Sequence, residues 1–201
     1  MITTTEVGKI VALLMKRPIT EEIAMEVEAT EGFEHLEIED GAWVGFDEDE
    51  YMAGEEHGWI EVLLINALSN WVLANRTGRL YSGDTDFVLI GIPKNIQLKR
   101  RPDIAFVSSS NVRPSKGYYY GAPDLAIEII SPTERPNKIR KKLREYLDNG
   151  VQQVWQVFPD DQEIAVNYPG GTTRTYRKGD TISGGELLPG FMLDVATIFE
   201  Q

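Results

Sequence analysis

The segment Leu125-Ala126-Ile127-Glu128-Ile129-Ile130 constrains the fold more than any other part of the sequence. Its residues are apolar with one exception, which is typical of a β-strand that other elements cover on both faces. A helical pattern follows from about Pro136 to Asn149, and Gly150 stands where a helix C-terminus favours glycine. This strand and helix predict a sheet with helices packed against it.

The remaining segments extend this pattern. Apolar residues recur at helical spacing from about Glu56 to Asn75, which predicts a long helix with one face in the core. Shorter helices are expected over Thr3–Lys16 and Glu21–Glu28, separated by Arg17-Pro18, and a hairpin over Leu36–Phe46 with its turn at 39–41. Further strands are predicted at 87–90, 104–107, 154–158 and 163–168, and a turn with a last short element at 188–199. The fold class is therefore α/β or α+β with a mixed central sheet, and residues 1–201 are expected to form one domain because no linker or repeat divides them.

Composition excludes several classes of function. The chain has no cysteine, which excludes disulfides, zinc-thiolate sites and thiol catalysis and fits a cytoplasmic protein. No apolar run is long enough to predict a membrane span. The net charge of −12, with 32 acidic against 20 basic residues, argues against non-specific binding of nucleic acid. Basic residues nevertheless concentrate at 99–101 and 135–144, and a solvated helix face is the ordinary interpretation of the second group.

Glu128 is the one charged residue of the apolar strand, and a buried carboxylate needs a cation, a hydrogen-bonding network or a proton. One interpretation is a structural ion pair, since buried charges are usually paired. The other is a metal ligand, because hard cations such as Mg²⁺ take carboxylate oxygens. Asp103 opens another predicted strand, so adjacent strands could direct both acids at one ion. Asp124 shares a strand face with Glu128 and is either a third acid of the site or the cap of a turn.

These residues resemble the motifs of a known family. The runs Arg101-Pro102-Asp103 and Asp124–Pro132 resemble the Uma-type group of endonucleases, which belongs to the PD-(D/E)XK, restriction-endonuclease-like superfamily. The likeness continues through Lys142–Tyr146, and further matches lie at 37–41, 56–58, 150–151, 155 and 188–190. It covers residues 33–199 and leaves residues 1–30 as an N-terminal helical extension.

The resemblance implies a mixed sheet flanked by helices and the hydrolysis of phosphodiester bonds, with Mg²⁺ as cofactor, Mn²⁺ as its substitute and DNA as the substrate. Asp103 and Glu128 match the two motif acids, and the backbone carbonyl of Ile129 could complete the shell of the metal. The superfamily usually places lysine two residues after the second acid, where this chain has Ile130. The Uma-type group carries that lysine on the following helix, at the position matching Lys142.

The residues of that helix are compatible with this role. Lys142 borders an apolar stripe and could reach inward, with Lys138, one turn earlier, as the second candidate. A solvated side chain whose stem covers apolar surface is an equally simple interpretation of each lysine. Two further acids are candidates: Glu61, four residues after His57 on the early helix, and Glu37, which matches a position of the family.

Three hypotheses follow. The first is a Mg²⁺-dependent DNA endonuclease, for which a homodimer is one expected state, because cutting two strands needs two sites. The second is a catalytically inactive nuclease-fold protein that acts as a binding or assembly module, which the acidic composition and Ile130 favour. The third is an unrelated α+β protein in which Glu128 forms a structural salt bridge.

Overall fold

The computed structural model describes residues 4–45, 54–113 and 116–200. Within these ranges the chain forms five helices and thirteen strands. The helices are α1 (Thr4–Leu14), α2 (Glu21–Glu28), α3 (Glu55–Asn75), α4 (Pro136–Asp148) and α5 (Ala196–Phe199). The strands are β1 (Glu37–Glu39), β2 (Ala42–Val44), β3 (Gly78–Ser82), β4 (Phe87–Ile92), β5 (Asn95–Arg100), β6 (Ile104–Ser108), β7 (Tyr119–Tyr120), β8 (Leu125–Ile129), β9 (Gln153–Phe158), β10 (Glu163–Tyr168), β11 (Thr172–Arg177), β12 (Thr181–Ser183) and β13 (Met192–Asp194).

The described residues group into two compact units, each with its own hydrophobic core. The first unit contains residues 4–45, 86–101 and 116–121, and the second contains residues 54–85, 102–113 and 122–200. That residues 1–201 form one domain stays a prediction. Among the described residues, no helix combines the length and the apolar character needed to cross a membrane.

The first unit contains the predicted N-terminal helices and hairpin. Its five strands form a sheet in the order β2-β1-β5-β4-β7. The hairpin closes where the sequence predicts it, with Glu39 opposite Ala42. Asp40 and Gly41 between them have φ values of 49° and 69°, as a two-residue turn of the type I′ class requires. Helices α1 and α2 contribute Ile10, Leu13, Ala24 and Val27 to the core of this unit.

Strand β5 of the first unit is absent from the sequence prediction. Its last residues, Lys99 and Arg100, belong to one of the two basic concentrations, yet both are 0% exposed. The ammonium of Lys99 pairs with Glu28 and, at 2.9 Å, with Asp86. The guanidinium of Arg100 pairs with Glu37 and Glu39. This basic segment is therefore part of an interior ion-pair network, because buried charges need partners of opposite sign.

The second unit contains the mixed sheet that the sequence predicts, but the predicted strand at 87–90 belongs, as β4, to the sheet of the first unit. Its six strands have the order β11-β10-β9-β8-β6-β3, in which β8 and β9 are parallel and the other neighbours antiparallel. Strand β8 lies inside the sheet with all five residues buried, as predicted for Leu125–Ile130. Helix α3 packs into the core through Ile60, Leu64, Leu68 and Val72, and α4 connects β8 to β9. The sequence prediction missed β3 and β11, which are the two edge strands of this sheet. Edge strands carry more polar residues, so they lack the apolar pattern by which buried strands are identified.

Candidate functional site

Asp103 and Glu128 lie across from each other in the second unit. Strands β6 and β8 are antiparallel neighbours in which Ile104 pairs with Ile127. Asp103 immediately precedes Ile104 and Glu128 immediately follows Ile127, and residues directly opposite each other on antiparallel strands share a face. Oδ2 of Asp103 also accepts a 2.6 Å hydrogen bond from the backbone N–H of Ile129. The register of β6 and β8 therefore brings the two predicted acids to one end of one strand pair.

The carboxylate of Glu128 is held by side chains of α4. Glu128 is 7% exposed, and the fully buried Tyr146 donates a 2.6 Å hydrogen bond from its hydroxyl to Oε1 of Glu128. Nζ of Lys142 lies 3.5 Å from Oε2 of the same carboxylate. Tyr146 follows Lys142 by one helical turn, so both side chains point from the same face of α4 toward β8. The ammonium of Lys142 and the hydroxyl of Tyr146 thus both contact the carboxylate of Glu128.

Lys142 has the inward orientation, which is one of the two interpretations that the sequence left open. Besides Glu128, its ammonium lies 4.0 Å from Oε1 of Glu134, and its side chain is 27% exposed. The preceding residue, Lys141, is 43% exposed and lies 3.9 Å from Glu145 on the same helix. Lys138, the second candidate, lies one turn before Lys142 and is half-buried. The two consecutive lysines at 141 and 142 therefore occupy different environments, one toward the surface and one toward Glu128.

Helix α3 contributes two titratable side chains beside Asp103. Nε2 of His57 lies 3.5 Å from Oδ1 of Asp103, and this carboxylate raises the pKa of His57, with the charges of Glu61 and Glu128 acting in the same direction and burial opposing them. Burial raises the pKa of Glu61, and the negative charge of Asp103 adds to that effect, whereas a hydrogen bond from the backbone of Gly83 opposes it. The structure thus brings Glu61 into the electrostatic environment of Asp103.

Two of the predicted acids have other partners. Asp124 stands just before β8, about 13 Å from Glu128 at the usual rise of a strand, and accepts hydrogen bonds from the Ser108 backbone, Asn111 and Gln152. These contacts correspond to the turn-capping alternative for Asp124 rather than to a third acid beside Asp103 and Glu128. Glu37 belongs to the first unit, where it contacts the guanidinium of Arg100 and accepts a hydrogen bond from the backbone N–H of Arg101.

The carboxylates of Asp103 and Glu128 suit a hard cation whose remaining ligands are water and substrate. Within residues 4–45, 54–113 and 116–200, no group of three or more His, Asp or Glu side chains is arranged to hold a metal. Mg²⁺ usually binds through one or two carboxylates and completes its shell with water and substrate phosphate. Two carboxylates from paired strands match that requirement. The backbone N–H of Ile129 contacts Asp103, and the ligand role of its carbonyl stays a prediction.

Sequence reasoning missed the roles of Tyr146 and Glu134. Helical spacing places Tyr146 on the apolar stripe of α4, which is correct for its ring but does not indicate its hydroxyl bond to Glu128. A signal was present, because a buried tyrosine usually directs its hydroxyl to a polar partner. Glu134 stands in a loop segment without periodicity, and nothing in the sequence connects it to Lys142.

Comparison with known proteins agrees with this architecture. The structure is similar to a crystal structure of "a putative nuclease belonging to DUF820" from Anabaena variabilis ATCC 29413, with a TM-score of 0.72 and 22% sequence identity. The match covers 90% of this chain and 98% of that chain, and at this identity it shows the fold. No curated protein matches the sequence.

The mixed sheet with its flanking helices is consistent with the fold of the restriction-endonuclease-like superfamily. The model of the Uma2 family, described as "Putative restriction endonuclease", matches residues 33–196. The chain therefore belongs to the Uma2 family, as the sequence resemblance predicts.

Proposed function

We propose that this protein is a Mg²⁺-dependent endonuclease that hydrolyses phosphodiester bonds in DNA, with Asp103, Glu128 and Lys142 as its catalytic residues. One observation carries the proposal: the ammonium of Lys142 lies 3.5 Å from Glu128, at the end of the strand pair where Asp103 stands. The nuclease class of the family supports the type of reaction. The choice of DNA as substrate and of Mg²⁺ as metal comes from the resemblance and is what the experiments below test.

The reaction adds water to the phosphorus atom and breaks one P–O bond, and negative charge develops on the phosphoryl oxygens as this happens. When bound by Asp103 and Glu128, Mg²⁺ would lower the pKa of a water molecule and offset part of that charge. Lys142 would donate hydrogen bonds to a phosphoryl oxygen, a point-charge role that suits an ammonium. Tyr146 would keep the carboxylate of Glu128 in one orientation through its 2.6 Å hydrogen bond.

The position of Lys142 explains how activity can persist with Ile130 at the usual lysine position. Ile130 directly follows β8 and is 7% exposed, so the strand itself offers no cation there. Lys142 reaches Glu128 from α4 instead. An ammonium at the same carboxylate can carry the same charge whichever element supplies it. The presence of Lys142 in place of a strand lysine favours an active nuclease over an inactive binding or assembly module of the same fold.

The direct test is cleavage of supercoiled plasmid and of matched DNA and RNA oligonucleotides with Mg²⁺, Mn²⁺ or EDTA. Asp103→Asn and Lys142→Met should each lower the cleavage rate by about 10²–10³-fold, the usual effect of removing one charge-stabilising group. Lys141→Met is the matched control, because Lys141 is the neighbouring lysine on the outer side of α4. Cleavage that persists in both site variants would indicate a contaminating nuclease. A folded wild-type protein that neither cleaves these substrates nor binds Mg²⁺ in calorimetry would support the binding or assembly module.

A further inference from the structure

The solvent-facing side of α3 carries three large apolar residues, although the opposite side of the helix already lies in the core. Trp59, Val62 and Leu73 are 49%, 55% and 75% exposed. The core-facing side carries Ile60, Leu64, Leu68 and Val72. Large apolar residues on the exposed side of a helix can mark an interaction site.

The residues of this exposed side follow a coiled-coil spacing. They alternate steps of three and four residues: Trp59, Val62, Asn66, Ser69, Leu73 and the C-cap residue Arg76. This is the spacing of the a and d positions of a heptad, the seam along which two helices pack. We call these six residues the α3 seam. The spacing indicates a helix as the partner.

Charge along α3 favours a second copy of this chain as that partner. From Trp59 to Asn75 the helix carries one charged residue, Glu61, which lies on the side of Asp103 and outside the α3 seam. In a chain with a net charge of −12, an uncharged face is where two molecules can approach with little repulsion. The two ends of α3 carry opposite charges. Glu55 and Glu56 lie in its first turn, and the exposed Arg76 and Arg79 follow its last turn. Antiparallel packing of two copies brings each acidic end to a basic end, and it also aligns the helix dipoles favourably.

We propose that the α3 seam is the interface of a homodimer in which two copies of α3 pack antiparallel about a two-fold axis. Antiparallel pairing places the a positions of one helix opposite the d positions of the other. In one register each of the six residues of the α3 seam lies opposite another residue of the seam. In that register Val62 faces Leu73 of the second copy, and Asn66 faces Ser69. Trp59 faces Arg76, where a guanidinium over an indole ring adds a cation–π contact. The axis lies between Asn66 and Ser69, so the interface is self-complementary, as a two-fold dimer requires.

Dimerisation through the α3 seam does not require catalysis, so the oligomeric state of the protein can be measured independently of any nuclease activity. One helix pair buries less than the roughly 800 Å² per partner of a standard interface, so the dimer should dissociate on dilution. Sedimentation velocity of the full chain over a concentration series should show a monomer–dimer equilibrium. Leu73→Glu should shift it to monomer, because the carboxylate would face Val62. Met192→Glu, at another exposed apolar residue, on β13, should leave the equilibrium unchanged. A wild-type protein that remains monomeric at the highest soluble concentration would overturn the proposal, as would a Leu73→Glu protein that dimerises like the wild type.

The absence of cysteine allows the register to be tested as well. Val62→Cys and Leu73→Cys proteins should form little disulfide-linked dimer alone and much more when mixed. The cysteines face each other only between the two variants, and each lies roughly 16 Å along the helix from its own copy at about 1.5 Å per residue. Lys178→Cys, an exposed position far from α3 in sequence, is the control for random collision and should give no such increase with either partner. Equal cross-linking of Val62→Cys with itself would indicate parallel pairing and would overturn the antiparallel interface.

Discussion

The hydroxyl of Tyr146 donates a 2.6 Å hydrogen bond to the carboxylate of Glu128. Tyr146 is 0% exposed and Glu128 is 7% exposed, so the bond forms out of contact with most of the solvent. A hydrogen bond to a charged group contributes about 1.5–3 kcal/mol to stability. Tyr146 is therefore a positioning residue for Glu128, and it also stabilises the fold.

Tyr146→Phe should lower the free energy of unfolding by about 2 kcal/mol, because the carboxylate of Glu128 loses a donor. It should also weaken Mg²⁺ binding, because Glu128 is no longer held in one orientation. Urea denaturation measures the first effect and calorimetric titration the second. Tyr176→Phe, on the edge strand β11, is the matched control and should change neither. Unchanged stability in Tyr146→Phe would contradict the importance of this bond.

Magnesium should raise the melting temperature of the wild-type protein, since a ligand that binds only the folded state stabilises it by mass action. The increase corresponds to about 2.7 kcal/mol when the free ion is at 100 times its Kd. Asp103→Asn should abolish this increase, and Asp160→Asn, at an exposed position just after β9, should retain it. A thermal shift of wild-type size in Asp103→Asn would show that the stabilising ion binds elsewhere.

Lys99→Met should destabilise the first unit by about 3–5 kcal/mol, because it removes the cation that the carboxylates of Glu28 and Asp86 share in the interior. The double variant Lys99→Met/Glu28→Gln should recover part of the loss, since one of the uncompensated charges is then gone. Chemical denaturation of both variants measures the effects. Lys94→Met, at an exposed residue between β4 and β5, is the control. A double variant less stable than Lys99→Met alone would contradict direct pairing.

Asp124→Ala should lower stability without lowering the cleavage rate of the folded protein. Its carboxylate accepts bonds of 2.7, 2.8 and 2.7 Å from the Ser108 backbone, Asn111 and Gln152, and leaving three donors without it should cost about 3 kcal/mol. Thermal denaturation and a cleavage assay well below the melting temperature separate the two effects. A folded Asp124→Ala protein that no longer cleaves DNA would instead return Asp124 to the list of catalytic acids.

Local patterns in the sequence predicted the central elements of the second unit well. The apolar run at β8 and the helical periodicity of α3 and α4 identify elements whose burial is continuous along the chain, and such burial leaves a clear local signature. Strand β5 lacks this signature because it ends in Lys99-Arg100. The partners that allow these charges to be buried, Glu28 and Asp86, are 71 and 13 residues away, and no local pattern indicates them.

By itself, the sequence determined the helices and the central strands, because periodic burial leaves a local pattern. Through its resemblance to the family it also indicated the two acids and the lysine proposed for catalysis. Only the tertiary structure decided which charges pair. It placed His57 at Asp103 and Tyr146 at Glu128, gave Asp124 the donors of a turn, and left Glu37 with Arg100 in the first unit. The physical reason is that side-chain pairing depends on distances between segments far apart in the chain. Those distances are set by strand register and helix packing, which a linear pattern of residues does not contain.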